Sequence, residues 1–90
     1  MKKKHVVIAG KVQGVFFRAN MQQVARSLDI TGWVRNLPDG RVEAVVEGVE
    51  NNMAAMLDWC RQGPPYAAVR QVEVTEEPYS GDYRDFSIRY

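Results

Sequence analysis

Apolar positions along the chain fall into five short strand-like runs and two helical stripes. Within His5 to Val12, the residues Val6, Val7, Ile8 and Ala9 form a continuous run with no polar face, the pattern of a central strand. Met21, Val24, Ala25 and Leu28 then recur at i, i+3, i+4 and i+7, which predicts an amphipathic helix with Gln22, Gln23, Arg26 and Ser27 on its polar side. Thr31 and Gly32 close that helix, and Trp33 to Leu37 reads as a second strand. Pro38, Asp39 and Gly40 supply a tight turn, because Pro presets φ while Asp and Gly tolerate positive φ. Arg41 to Glu47 follows as a third strand paired to the second, its Val42, Ala44 and Val46 alternating with Glu43 and Glu47. Asn51 or Asn52 is the expected N-cap of a second helix, striped by Met53, Met56, Leu57 and Cys60 and stopped by Gly63, Pro64 and Pro65. Val69, Val72 and Val74 mark a fourth strand ending near Pro78. Tyr79 to Tyr83 reads as a loop, and Phe86, Ile88 and Tyr90 alternate with Ser87 and Arg89 in a short closing strand.

This order is a split βαβ unit used twice, which predicts an α/β (α+β) fold: a ferredoxin-like sandwich. Its antiparallel sheet has four to five strands with two helices on one face. The first and third strands lie together at the centre, and the first and second run parallel with the third between them. Because Val6 to Ala9 is apolar on both sides, the pattern leaves open which face the helices cover. No linker, repeat or low-complexity tract interrupts the chain, so residues 1–90 are read as one domain.

Composition narrows the function classes. Ninety residues, 46% of them hydrophobic and 26% charged, suit one core in a soluble protein. Twelve Lys and Arg against eleven Asp and Glu leave a formal charge of +1, which is no general nucleic-acid footprint, so any anion site must be local. Cys60 is the only cysteine, which excludes an internal disulfide and a thiolate metal cage, and a reducing cytoplasm is expected. Lys2 to Lys4 resemble the start of a signal peptide, but the apolar run after them breaks at Gly10 and Lys11, too short to be secreted or to span a bilayer. A monomer with no cofactor, metal, membrane or nucleic-acid partner is the expectation.

The candidate chemistry lies in Gly10 to Arg18, GKVQGVFFR. A strand turning sharply into a helix leaves peptide N–H groups unpaired and converging on a small volume. Gly14 lets the backbone curl into a nest, so the N–H groups of Gly14, Val15, Phe16, Phe17 and Arg18 can surround a phosphate-sized anion. Arg18 adds a planar, permanently charged fork able to hold two phosphate oxygens. On local features alone an ordinary turn with a solvated or carboxylate-paired arginine is the favoured reading of this stretch. The topology adds Asn36: the C-terminal ends of the first and second strands lie about 10 Å apart across the third. A phosphoryl group and a water fit between Arg18 and Asn36, whose amide can both donate to and accept from that water.

Other polar residues have plainer readings. His5, the only histidine, is expected to be solvated or at a strand edge, and Lys2 to Lys4 to be a frayed tail. Glu43 and Glu47, four apart on one strand face, read as a solvent-facing pair rather than an acid/base couple or metal site. Cys60 sits on the apolar stripe and reads as core. Trp33 and Trp59 read as packing residues rather than a ligand-stacking pair. An RNA-binding domain of the same fold is the weaker alternative, because Arg41 to Gly48 lacks the aromatics such modules place on a central strand.

Two blocks, IAGKVQGVFFR at Ile8 to Arg18 and GWVRNLPDGRVEAVVEG at Gly32 to Gly48, together closely resemble the signatures of the acylphosphatase family. The Gly63-Pro64-Pro65 break and the final FSIRY are similar to family features as well, so the resemblance covers essentially the whole chain. It implies hydrolysis of the carboxyl–phosphate bond of small acyl phosphates without a metal or cofactor. Arg18 then binds the phosphoryl group and Asn36 positions the attacking water. Some members carry a hydroxyl residue straight after that asparagine, where this chain has Leu37. A non-catalytic module that binds acyl phosphates with the same cradle is the other alternative.

Overall fold

The computed structural model describes residues 1–90. In chain order the elements are β1 (Lys2–Lys11), α1 (Phe17–Ser27), β2 (Thr31–Asn36), β3 (Val42–Gly48), α2 (Glu50–Gln62), β4 (Ala68–Glu77) and β5 (Phe86–Arg89). The strand order β4-β1-β3-β2-β5 sets β1 beside β3 at the centre. β1 pairs antiparallel with β3 and β4, and β2 antiparallel with β3, so β1 and β2 run the same way with β3 between them. β5 joins β2 in parallel and makes the five-stranded sheet mixed. The result is the α+β ferredoxin-like sandwich that the element order predicts.

Register decides the question the apolar run left open. Val6 lies opposite Ala44 and Val74, Ile8 opposite Val42 and Val72, and Val34 opposite Ala44 and Ile88. Partners across a ladder share a sheet face, so these residues form one apolar surface, and both helices pack on it. Met21 and Ala25 of α1 and Met53, Met56, Leu57 and Cys60 of α2 join that surface in one cluster of 17 buried residues. Each large side chain buried there contributes about 1.5–3 kcal/mol. The α2 stripe is buried as its periodicity predicts. In α1 the buried residues are Phe17, Met21 and Ala25, with Val24 and Leu28 half-buried, because the helix starts a full turn ahead of Met21. Trp59 packs against Phe17, ring centroids 5.1 Å apart. Burial pushes the Cys60 thiol up to about 12, which fits its core reading.

Several boundaries move. Thr31 and Gly32 belong to β2, since α1 has already ended at Leu28 and Asp29 reverses the chain with φ 53°. Leu37 leaves the strand for the turn, where its N–H donates to Arg41 O at 2.8 Å and its carbonyl accepts from Gly40 N–H at 3.2 Å. α2 starts at Glu50 with Val49 as N-cap and no side-chain cap, so neither Asn51 nor Asn52 caps it. Glu50 instead places negative charge in the first turn, favourable to the helix dipole. Lys2 to Lys4 are no frayed tail: they pair in register with β3, Lys3 and Lys4 also pair with β4, and Lys2 Nζ lies 3.6 Å from Glu76.

The sheet face away from the helices departs furthest from the sequence reading. His5 is not an edge residue but sits on central β1, its Nε2 2.7 Å from Glu43 Oε2, while Arg35 Nε donates to Glu43 Oε1 at 2.6 Å. Burial alone would raise the Glu43 carboxyl, but the bonds from His5 and Arg35 outweigh it and hold the group below its usual range. Glu47 is 1% exposed rather than solvent-facing. Its Oε2 accepts from the N–H and the hydroxyl of Ser80, both at 2.9 Å, and from Gly81 N–H at 3.4 Å. The cause is topological: β4 and β5 occupy opposite sheet edges, so the segment joining them must traverse the sheet. Trp33 lies under that strap, donating from Nε1 to the Tyr83 hydroxyl at 3.3 Å and carrying the Arg35 and Arg89 guanidinium groups on its ring.

Candidate active site

The site is built where β1 leaves the sheet. A register shift between Ala9 and Gly10 bends the strand end outward. Gly10 has φ 129°, and a Cβ there would lie 2.2 Å from Ala68 O, so no other residue fits. Two left-handed residues, Gly14 at φ 74° and Phe16 at φ 63°, then wind residues 14–18 into a nest at the start of α1. Gly14 has open space around its Cβ position, so its requirement is conformational rather than steric. Phe16 is the N-cap residue, but no side chain caps the helix and no acidic residue occupies its first turn. The first-turn N–H groups are therefore available to an external anion.

Asn36 comes from the other strand. It ends β2, opposite Val42, on the sheet face that carries the helices. Because β1 and β2 flank β3, their C-terminal ends are separated by two strand spacings, about 10 Å. Gln13 ties the two halves together: its Nε2 donates to Leu37 O at 2.8 Å and to Arg41 O at 3.0 Å, so the nest is fastened to both ends of the turn that follows Asn36.

Arg18, Asn36 and the turn residues Gln13, Gly14, Phe16 and Phe17 line one cavity of about 280 Å³, closed by Val12, Ala19, Ile88 and Tyr90. No Asp or Glu side chain lines it. Arg18 is half-buried and makes no salt bridge, so its charge is uncompensated within the protein. The Tyr90 ring lies 5.0 Å from its guanidinium carbon. A pocket whose only charged side chain is a free arginine beside unpaired N–H groups is complementary to a dianion such as a phosphoryl group. No three His, Cys, Asp or Glu side chains gather anywhere in the chain to hold a metal ion.

Residues 4–88 match the family model described as Acylphosphatase. The chain belongs to the acylphosphatase family. An acylphosphatase of Syntrophus aciditrophicus is 54% identical over 90 residues, covering 100% of this chain and 94% of the relative. The crystal structure of acylphosphatase from Bacillus subtilis superposes with a TM-score of 0.96 at 37% identity, covering 100% of both chains. An acylphosphatase structure from Coxiella burnetii gives 0.93 at 43% identity, over 98% of this chain and 92% of that one. The chain is accordingly a hydrolase with acylphosphatase activity and a small acyl phosphate as substrate. No helix is long and apolar enough to cross a membrane.

The site residues expected from the sequence of this acylphosphatase divide in two. Gly14, Phe16, Phe17, Arg18 and Asn36 all line the cavity, whereas the Val15 side chain is 5% exposed and turned into the core, leaving only its peptide for the nest. Sequence reasoning missed Gln13, Ile88 and Tyr90. Gln13 stood inside the first signature block, flanked by Val12 and Gly14, and its polar side chain between two loop residues was the available signal. Ile88 and Tyr90 reach the site only because β5 adds beside β2, which no local pattern discloses.

Proposed function

We propose that the acyl phosphate is bound with its phosphoryl group in the nest, held by the peptide N–H groups of Gly14, Val15, Phe16, Phe17 and Arg18 and by the Arg18 guanidinium. Asn36 orients the attacking water through its side-chain amide. The observation that carries this reading is the convergence of Arg18, from the first turn of α1, and Asn36, from the end of β2, on one cavity without an acidic side chain. The water oxygen attacks phosphorus, the bond from phosphorus to the carboxyl oxygen breaks, and the acyl group leaves as a carboxylate. One water proton passes to a phosphoryl oxygen of the substrate, and inorganic phosphate is released.

Each assignment matches what the reaction demands. A carboxylate leaves readily, so no strong general acid is required, and phosphoryl transfer through a loose transition state needs mainly positioning and charge stabilisation. Arg18 and the peptide dipoles supply the charge, and the Asn36 amide supplies the position. The mechanism thus runs without metal or cofactor. The near-zero net charge gives no nucleic-acid footprint, and the lone buried cysteine suits a reducing cytoplasm. The test is release of phosphate from acetyl phosphate in excess EDTA. Turnover under chelation is expected; a folded protein that binds phosphate without turning the substrate over would make the chain a binding module instead.

A further inference from the structure

Two residues other than glycine have positive φ, Asp29 at 53° and Phe16 at 63°. Aspartate tolerates that region, but for a bulky ring it is an outlier that persists only where the surroundings dictate it. Packing does not dictate it here, because the Phe16 side chain is 71% exposed. The constraint comes through the backbone. The Phe16 carbonyl accepts two hydrogen bonds, from the Asn20 main-chain N–H at 3.1 Å and from Asn20 Nδ2 at 2.8 Å. The first is the opening bond of α1, which any residue but proline would make at position 20. The second belongs to asparagine: a carbonyl oxygen only accepts, so the side-chain amide must present its NH2.

Asn20 is the fourth residue of α1, where asparagine forms a helix less readily than alanine. Its side chain does not line the cavity, yet it holds a peptide that the nest uses. The peptide joining Phe16 to Phe17 is trans and planar, so its C=O and N–H point opposite ways. Fastening the carbonyl back onto the helix at two points turns the Phe17 N–H forward, out of the helix N-terminus and into the volume that Gly14 and Arg18 line.

We propose that Asn20 is a positioning residue of the phosphate nest, whose side-chain amide locks Phe16 in its left-handed conformation and so aims the Phe17 N–H at the phosphoryl group. This rests on the binding of the phosphoryl group by residues 14–18. A preorganised donor favours bound phosphate and transition state alike, so loosening it weakens both, whereas loss of the water-orienting Asn36 acts on turnover.

The test compares wild type, Asn20→Ala and Asn20→Ser in acetyl phosphate kcat/KM, inhibition by inorganic phosphate and thermal melting. Alanine removes the donor, while a serine hydroxyl can bond back to the carbonyl four residues earlier. In Asn20→Ala the phosphate inhibition constant is expected to rise, and kcat/KM to fall, by about 3–10-fold each, the worth of one hydrogen bond. Its melting midpoint should stay within about 2 °C of wild type, since the better helix former offsets the lost bond. Asn20→Ser is expected to return both constants to within about twofold of wild type. An alanine variant already within about twofold in both overturns the proposal. So does an equal loss in the alanine and serine variants, which would assign the effect to side-chain size rather than to the donor. A kinetic loss that tracks a lowered melting midpoint overturns it as well, by making the bond a support for α1 alone. A folded wild type that neither hydrolyses acetyl phosphate nor is inhibited by phosphate would instead overturn the reading of residues 14–18.

Discussion

Removing the Glu47 carboxylate tests whether the strap across the open sheet face is held by one buried charge. Glu47→Ala deletes two short hydrogen bonds from Ser80 and a longer one from Gly81. Hydrogen bonds to a charged group are worth about 1.5–3 kcal/mol each, so the two short ones represent roughly 3–6 kcal/mol. Two effects offset part of this. Ser80 is exposed, so its freed donors turn to water, and Glu47 Oε1 is buried without a partner, so its desolvation cost is relieved. The net loss is about 2 kcal/mol, or on the order of 10 °C in Tm for a domain of this size. Glu47→Gln keeps an acceptor for Ser80 and should lose about half as much. Activity should survive at 25 °C, because Glu47 lies opposite Thr31, five residues and roughly 17 Å along β2 from Asn36. Chemical denaturation with the kcat of each variant measures both. An alanine variant as stable as wild type would refute the anchor, and one that melts normally but has lost activity would refute its separation from the site.

Other parts of the account make equally definite predictions. Arg18→Gln removes the only charged side chain in the cavity and should weaken inhibition by inorganic phosphate and lower kcat together, by on the order of 10² or more in kcat/KM; retained phosphate affinity would contradict its role. Gln13→Ala unties the nest from the turn after Asn36 and should lower kcat about 10-fold while the melting midpoint drops by a few degrees, checked by kinetics alongside calorimetry. The Glu43 carboxyl is held below its usual range in the folded chain, so its contribution is present above the unfolded carboxylate pKa and is lost as pH falls through the folded value. Glu43→Gln should therefore cost about 1 kcal/mol near neutrality and converge with wild type in acid. Urea midpoints across pH 3–7 would show this, and a gap that persists unchanged at the acid end would refute it.

How much was legible in the chain follows a physical division. Elements whose cause is local were readable: the Met53-Met56-Leu57-Cys60 stripe, the Pro38-Asp39-Gly40 turn and the Gly63-Pro64-Pro65 stop each act within a few residues. The junction of β1 and α1, with Gly14 at positive φ, was readable for the same reason, since its residues are contiguous. Features whose cause is a long-range connection were not. Glu43 and Glu47 look like a solvated pair until β4 and β5 are known to occupy opposite edges, which sends the strap over Glu47. His5 and the lysines before it look like a polar tail until pairing on both sides makes them part of the central strand. Tyr90 looks like a chain end until parallel pairing with β2 brings it over Arg18.

The central claim is a division of labour in one cavity, with residues 14–18 holding the phosphoryl group and Asn36 holding the water. Asn36→Ala, assayed for acyl phosphate turnover and for inhibition by inorganic phosphate on the same preparation, tests it most directly. The account predicts a kcat lower by on the order of 10² or more with the phosphate inhibition constant nearly unchanged. An Asn36→Ala protein with full turnover, or one that loses phosphate binding in proportion to turnover, would contradict it.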